Sequence, residues 1–417
     1  MKYLFWMMLV ASSAQAADLR IYSNFSEIRE PQKVTETSFE YPFTPEMVQQ
    51  LVQGSLYLEG SKVLSQVQTV TEAKAWLKAF EGQTLNLRTN DGVRAVTLIN
   101  AEQGIVQDIE TKRFRTNISA DMLEFPSLPS QTEEGRTLYR FTVDRPGAVV
   151  LSYLTRGITW SPRYVLNVAK AGQAKLESYA DIRNNLSTLV QVKTSELVAG
   201  QVDLNSYENK YQVQNLRAQM NTMAADVAAP GIESGVESAG IYSFALNRPF
   251  DLPGKATLTL PFIEPKVSVE RMATLTTDFI SIYSKGKMNR MYRLTSDLLL
   301  PAGAVTVRDE GRIVGQLNIG DVAAGERYNM YLGTDPDLMY TRSVKVTNQT
   351  KTSTTYQVNL TVNNAKDRSV PFEYLERFGG NVVVDGKVEQ VPEGIRVIDT
   401  LKAKGKLDYT YTLKFTY

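Results

Sequence analysis

Ser284-Lys285-Gly286-Lys287 sets a serine three residues before a lysine, the spacing at which some acyl-transfer enzymes pair nucleophile and base. Those enzymes hold both residues on one helical turn. Here Gly286 and the alternation around it predict a solvated hairpin tip instead. Asp335-Pro336-Asp337 offers carboxylate oxygens to a calcium ion, but the remaining ligands of an EF-hand loop are missing, so a turn after a strand is expected. Glycoside hydrolysis needs only two carboxylates. With 45 Asp and Glu residues the chain has many candidates, and no spacing singles out a pair.

The other common chemistries are excluded by composition. The 417 residues include no His and no Cys. Ser-His-Asp triads, Cys-His dyads and His- or Cys-ligated zinc are therefore impossible. No Gly-x-x-x-x-Gly-Lys-Ser/Thr loop occurs. The expectation is a chain with no catalytic, cofactor-binding or metal-binding residues and no cofactor.

The elements that would position any site begin after a targeting segment. Lys2, the short apolar run Tyr3–Val10 and the small-x-small triplet Ala14-Gln15-Ala16 predict a signal peptide over 1–16, cleaved before Ala17. The alternative is an N-terminal anchor helix. No Cys follows, so no lipoprotein anchor is expected. Nor does any later stretch reach the ~18 apolar residues of a membrane helix. Removing 1–16 takes away one Lys and no acid, leaving basic and acidic residues equal at 45. That balance gives no pull toward nucleic acid. Without cysteines, an exported chain must be held together by apolar burial alone.

The mature chain reads as mainly β. Tyr356, Val358, Leu360 and Val362 alternate with polar residues, as do Leu258, Leu260 and Phe262. Val382–Val384 and Val388 flank Asp385-Gly386, which predicts a two-residue hairpin. A short opening strand is expected around Ile21–Phe25, with its register open. Segment 17–70 is read as α+β, with a helix capped by Thr44, started by Pro45 and backed by Val48, Leu51 and Val52.

Segment 71–127 is read as a helix plus a small SH3-like barrel. Thr71 caps the helix, Ala73, Trp76, Leu77 and Phe80 lie on one face, and Gly82 ends it. Short strands follow at Thr84–Arg88, Val93–Ile99, Ile105–Glu110 and Phe114–Ile118, then a helical turn at Ser119–Met122 and a last strand at Leu123–Phe125. Pro126, Pro129 and the polar run 130–135 form a linker. Region 135–417 is expected to be β-sandwich, interrupted over 205–240 by a mobile insertion or, alternatively, a short helix at Val213–Met223. No repeat of fixed period is found.

Three stretches of region 135–417 resemble the C-terminal β-rich domain of the mucoidy inhibitor A-like family, whose function is unknown. They are Tyr153–Tyr164 with its Trp160-Ser161-Pro162-Arg163-Tyr164, Leu300-Pro301-Ala302-Gly303, and Leu332–Asp337 followed by the strand with Arg342. The family's Gly-Glu-Asp-Trp-like turn after a strand-ending Asn is replaced here by Asn185-Leu186-Ser187 after Asn184. Its N-terminal coiled coil is absent too, and the resemblance supplies no active site. Trp160 is expected to be a buried anchor and Pro162 an edge or bend residue, with Gly303 and Gly333 in turns of positive φ.

The closing residues Tyr409, Tyr411, Leu413, Phe415 and Tyr417 alternate with polar ones. They read as a sandwich strand, with the closing strand of an outer-membrane barrel as the alternative. The functional expectation is a non-enzymatic, exported protein of the periplasm or cell envelope. It would have a structural or protein-interaction role, with an envelope protein or glycan as partner. The alternatives are an outer-membrane-associated protein inserted through its C-terminal strands, and a carbohydrate-active enzyme with paired carboxylates.

Overall fold

The computed structural model describes residues 16–70, 75–89, 92–126, 136–169, 173–202, 204, 236–238, 240–246 and 248–417. Thr71, Ala73, the linker from 127 to 135 and the expected insertion as far as 235 lie outside the described residues, as does Val213–Met223. Strand makes up 67% of the structure and helix 3%, so the chain is mainly β with several sheets.

In chain order the first strands are β1 (Ala17–Ile21), β2 (Ser26–Val34) and β3 (Ser38–Phe43). The helix α1 (Pro45–Gln50) follows, then β4 (Tyr57–Glu59) and β5 (Val63–Val70). Next come α2 (Ala75–Lys78), β6 (Thr84–Thr89), β7 (Gly92–Asn100), β8 (Ile105–Asp108), β9 (Phe114–Arg115), a 3-10 turn (Ala120–Met122) and β10 (Leu123–Glu124). The middle of the chain supplies β11 (Thr137–Val143), β12 (Gly147–Thr155), β13 (Ile158–Val168), β14 (Ala174–Asn184) and β15 (Val190–Ala199). Then follow β16 (Val236–Ser238), β17 (Ile241–Leu246), β18 (Phe250–Leu252), β19 (Ala256–Pro261), β20 (Val267–Asp278) and β21 (Ser284–Ser296). The last third holds β22 (Gly303–Asp309), β23 (Arg312–Ile319), β24 (Arg327–Gln349), β25 (Ser353–Asn364) and β26 (Val370–Arg377). It closes with β27 (Asn381–Gly386), β28 (Glu389–Val391), β29 (Gly394–Leu401) and β30 (Lys406–Thr416).

Two compact units form, one from 1–160 with 182–258 and the other from 161–181 with 259–417. Of region 135–417, residues 135–160 and 182–258 fall in the first unit and the rest in the second. The first unit carries an eight-stranded sheet in the order β16-β17-β15-β1-β2-β12-β4, with β18 also on β15. Its opening strand starts earlier than expected: Ala17, Leu19 and Ile21 point inward, and Tyr22–Phe25 is the turn into β2 with the two rings stacked 4.2 Å apart. Thr44 caps α1 by accepting from the Met47 N–H, as its hydroxyl and the following Pro45 predict. Trp160 is buried and its indole N–H donates to the Val198 carbonyl.

Segment 75–126 has its own five-stranded sheet, β10-β6-β7-β8-β9, with the 3-10 turn between the two edge strands. Leu77, Leu85, Leu87, Val96, Leu98 and Val106 fill its core, and Trp76, Phe80 and Phe125 meet edge to face beside it. A three-stranded sheet β3-β11-β5 completes the unit.

The second unit holds a nine-stranded sheet, β27-β30-β25-β24-β21-β20-β26-β29-β28, and most of a five-stranded sheet, β19-β14-β13-β22-β23. Phe372, Tyr374, Leu360, Val362, Tyr411 and Leu413 lie in its main core.

Several turn expectations are corrected. Asp385-Gly386 is not a hairpin: β27 pairs β30, while β28 pairs β29. A Cβ on Gly386 would sit 2.7–2.9 Å from Tyr411 and the Thr410 carbonyl, so this glycine allows a close strand approach. Gly303, expected in a turn, has no positive φ; its missing Cβ would lie 2.3 Å from the Pro162 carbonyl. Pro162 is buried inside β13, and the register with β22 starts at the next residue, Arg163. Gly333 does take a positive φ of 82°, but within β24 rather than in a turn.

One clasp is built twice. The Asn184 amide donates to the carbonyls of Thr188, Leu252 and Pro253, and its oxygen accepts from the Leu186 N–H. In the second unit the Asn364 amide donates to Arg368, Leu401 and Lys402, and its oxygen accepts from the Lys366 N–H. The next residue binds back in both cases, Asn185 to the Gly157 carbonyl and Ala365 to that of Asp337. Lys255 and Lys404 both take positive φ, 53° and 52°, and donate their backbone N–H to Leu186 and Lys366. Gly157 N–H bonds the Thr155 hydroxyl as Asp337 N–H bonds the Asp335 carboxylate. Each clasp leads into a strand paired in parallel, β15 on β1 and β26 on β20. The clasp thus recurs without a fixed period, since Asn184 and Asn364 are 180 residues apart and Lys255 and Lys404 are 149. The repeated unit is conserved in backbone bonds, while few of its side chains match.

Candidate functional site

Between β20 and β21 the chain exposes Ile280, Ile282 and Tyr283, at 45%, 62% and 58%. Three exposed apolar side chains within four loop residues are costly to leave in water and mark a contact surface. The loop is held from beneath by Arg342 on β24. One guanidinium nitrogen of Arg342 donates to the carbonyls of Ile280 at 2.8 Å and Ile282 at 3.2 Å. The other donates to Glu376 on β26. The second Glu376 oxygen accepts from the hydroxyls of Tyr374, at 3.1 Å, and Tyr411. The guanidinium also lies 5.3 Å from the Phe279 ring centre.

Strand alternation brings these groups together. Val370, Phe372, Tyr374 and Glu376 all face inward on β26, and Arg342 faces the same core from β24. Arg342 and Glu376 are 1% and 0% exposed, so each charge requires the other. Burial pushes both tyrosine hydroxyls up, and the Glu376 charge adds to it, leaving them neutral donors. Burial alone would lower Arg342, but Glu376, Tyr374 and Tyr411 together outweigh it and the guanidinium is held above its ordinary value. Both Glu376 oxygens are engaged inside the protein. The group is a brace for the loop and is closed to a substrate.

Beside the loop is an open depression of about 560 Å³. Phe279, Phe378 and Phe415 line it together with Asp278, Arg377 and Glu393. Phe279 and Phe415 have ring centres 4.9 Å apart, and Phe378 and Phe415 5.9 Å. Aromatic rings among charges of both signs suit an apolar group carrying polar edges.

The residues singled out from the sequence lie elsewhere and do not converge. Ser284–Lys287 is the start of β21, paired with Arg342–Met339, and is not a hairpin tip. Extended backbone sends residues three apart to opposite faces, so Ser284 and Lys287 cannot work together. Asp335 and Asp337 are inside β24 rather than in a turn, and both reach the Lys366 ammonium, at 3.0 and 3.4 Å. The Arg342–Glu376 brace was missed. A charged residue at an inward position of the Val370–Tyr374 alternation was the available signal.

The first unit has a half-buried polar group. Glu30 on β2 accepts from the hydroxyls of Tyr41 and Tyr153. Burial raises its carboxyl above the ordinary range, against the hydrogen bonds of Tyr41, Tyr153 and Gln32. Among the described residues no group of three Asp or Glu is placed to hold a metal ion, and no helix is long and apolar enough to cross a membrane. No family model matches the chain, and no curated protein matches it.

Proposed function

We propose that this chain is an exported, non-enzymatic cell-envelope protein that binds an envelope protein or glycan. The observation that carries the reading is the braced loop: Ile280, Ile282 and Tyr283 are exposed while their backbone is fixed by a buried ion pair. A preorganised apolar loop beside an aromatic depression loses little freedom when it binds. Export is supported by the leader pattern in 1–16, and by β1 beginning at Ala17, so cleavage there leaves every described strand pairing intact. Burial of Tyr411 and Leu413 at 1% and 0% favours a sandwich strand over a membrane strand for β30, since a lipid-facing strand turns its apolar residues outward.

The order β10-β6-β7-β8-β9, with a 3-10 turn before the last strand, supports an SH3-like reading of the small sheet. The motifs Tyr153–Tyr164, Leu300–Gly303 and Leu332–Asp337 support a relation to the mucoidy inhibitor A-like family.

The test is capture of a partner from envelope extract by the mature chain and by the I282D/Y283D variant. A salt-resistant partner retained by the first and lost by the second supports the reading; equal recovery overturns it. Amino-terminal sequencing of osmotic-shock extract should begin at Ala17, and an uncleaved cytoplasmic chain overturns export.

A further inference from the structure

The strand β5 is an edge. It pairs β11 from Val63 to Val70, and among the described residues no strand pairs its other side. Every residue after Val63 is exposed, including Leu64 at 60%, Val67 at 51% and Val70 at 67%. An open edge offers a row of backbone donors and acceptors to another strand. Edges are usually guarded by charge, proline or glycine. The opposite edge of the same sheet, β3, carries Glu40 and Pro42. The sequence of β5, Val-Leu-Ser-Gln-Val-Gln-Thr-Val, has no charge, proline or glycine.

That sequence also has a symmetry. From Leu64 to Val70 the side chains run apolar, hydroxyl, amide, valine, amide, hydroxyl, apolar. We propose that β5 pairs with β5 of a second copy of this chain, antiparallel and centred on Val67. In that register Val67 meets Val67, Gln66 meets Gln68, Ser65 meets Thr69 and Leu64 meets Val70. Every cross-strand pair joins like with like, and none joins like charges. The contact is isologous, as a twofold dimer requires. It sets each of the strand's three exposed apolar side chains beside an apolar partner and completes the open edge. The register of β5 on β11 is unbroken from Ser65 to Val70 and slips at Leu64, so the regular stretch is centred near Val67. This deepens the interaction reading above by naming the occupant of one edge. Self-association of purified chain tests it without reference to export or to the Phe279 depression.

The chain has no cysteine, so V67C carries the sole thiol. Mild oxidation should give an interchain disulfide in V67C, because facing residues of an antiparallel pair lie within disulfide reach. A control, V93C, exposed at 56% on β7, should not cross-link beyond background. Sedimentation should find the cysteine-free chain dimeric and V67K monomeric, with unchanged circular dichroism since Val67 is exposed. A cysteine-free chain that stays monomeric up to about 100 µM, roughly a hundredfold above a micromolar Kd, overturns the proposal. So does a V67C chain that cross-links no faster than V93C, or a dimer that survives V67K.

Discussion

Arg342 and Glu376 form an ion pair from which water is excluded, and the arginine's remaining reach goes to the carbonyls of Ile280 and Ile282. A charge buried in this way is costly by itself and tolerable only with its partner. Replacing either residue by methionine should therefore destabilise the chain by about 3–5 kcal/mol. The double replacement R342M/E376M should cost much less than the sum of the two, because no charge is left unpaired. A double-mutant cycle from urea unfolding reads this directly, and additive losses would show that the two charges are not coupled.

Asn184 and Asn364 each present one amide to three carbonyls. Alanine at either position should cost about 1–3 kcal/mol, the range for stranding buried polar groups. The two sites share no partner, so N184A and N364A together should give the sum of the single losses. Thermal unfolding of the three variants checks it. A loss at one site only would mean that the two clasps are not energetically equivalent.

Glu30 links stability to pH. Burial raises its carboxyl above the ordinary 4.5, although Tyr41, Tyr153 and Gln32 pull it back. The folded chain therefore holds this proton more tightly than the unfolded chain. The associated stability is fully present below about pH 4.5 and is lost as pH rises through the raised value. E30Q removes this dependence. At pH 7 it should be more stable than the parent by about 1.4 kcal/mol for each tenfold increase in proton affinity, with the difference gone below about pH 4. Melting temperatures of both chains from pH 3.5 to about pH 8 test it, and a variant less stable at pH 7 contradicts it.

Gly394 has φ of 153°, and a Cβ there would lie 1.9 Å from the Glu376 carbonyl. Gly311 also has positive φ, 81°, but open space around it. G311A should cost only the backbone strain, about 1–2 kcal/mol. G394A adds a clash with the backbone that carries Glu376, and should lower the melting temperature more than G311A does. Equal shifts would mean that β26 and β29 separate freely.

The strands of the small sheet were legible in advance. Thr84–Arg88, Val93–Ile99 and the turn before Leu123 stand in the structure within a residue or two. Their alternation is dense, and the turns Asn90-Asp91-Gly92 and Gln103-Gly104 carry Gly, Asn or Asp. Thr44 and Pro45 were legible for the same reason, since capping acts within one turn. Asp385-Gly386 misled because a glycine that admits a neighbouring strand and one that makes a hairpin have the same sequence. The doubled clasp was invisible because most of its bonds use backbone groups. Ala180 and Ile182 occupy the slots taken by Leu360 and Val362, and burial tolerates such exchanges.

The sequence by itself determined that this is a mainly β chain without thiol or imidazole chemistry. Composition decides the chemistry, and alternation decides which face of each strand is apolar. Only the tertiary structure decided that Arg342 reaches Glu376 and the loop at Ile280, and that Asn184 and Asn364 close equivalent clasps. Those partners lie 34 to 69 residues apart along the chain, apart from the local bonds with Leu186, Thr188, Lys366 and Arg368. Which of them meet depends on strand order, and strand order follows from how whole sheets bury their faces rather than from any local run of residues.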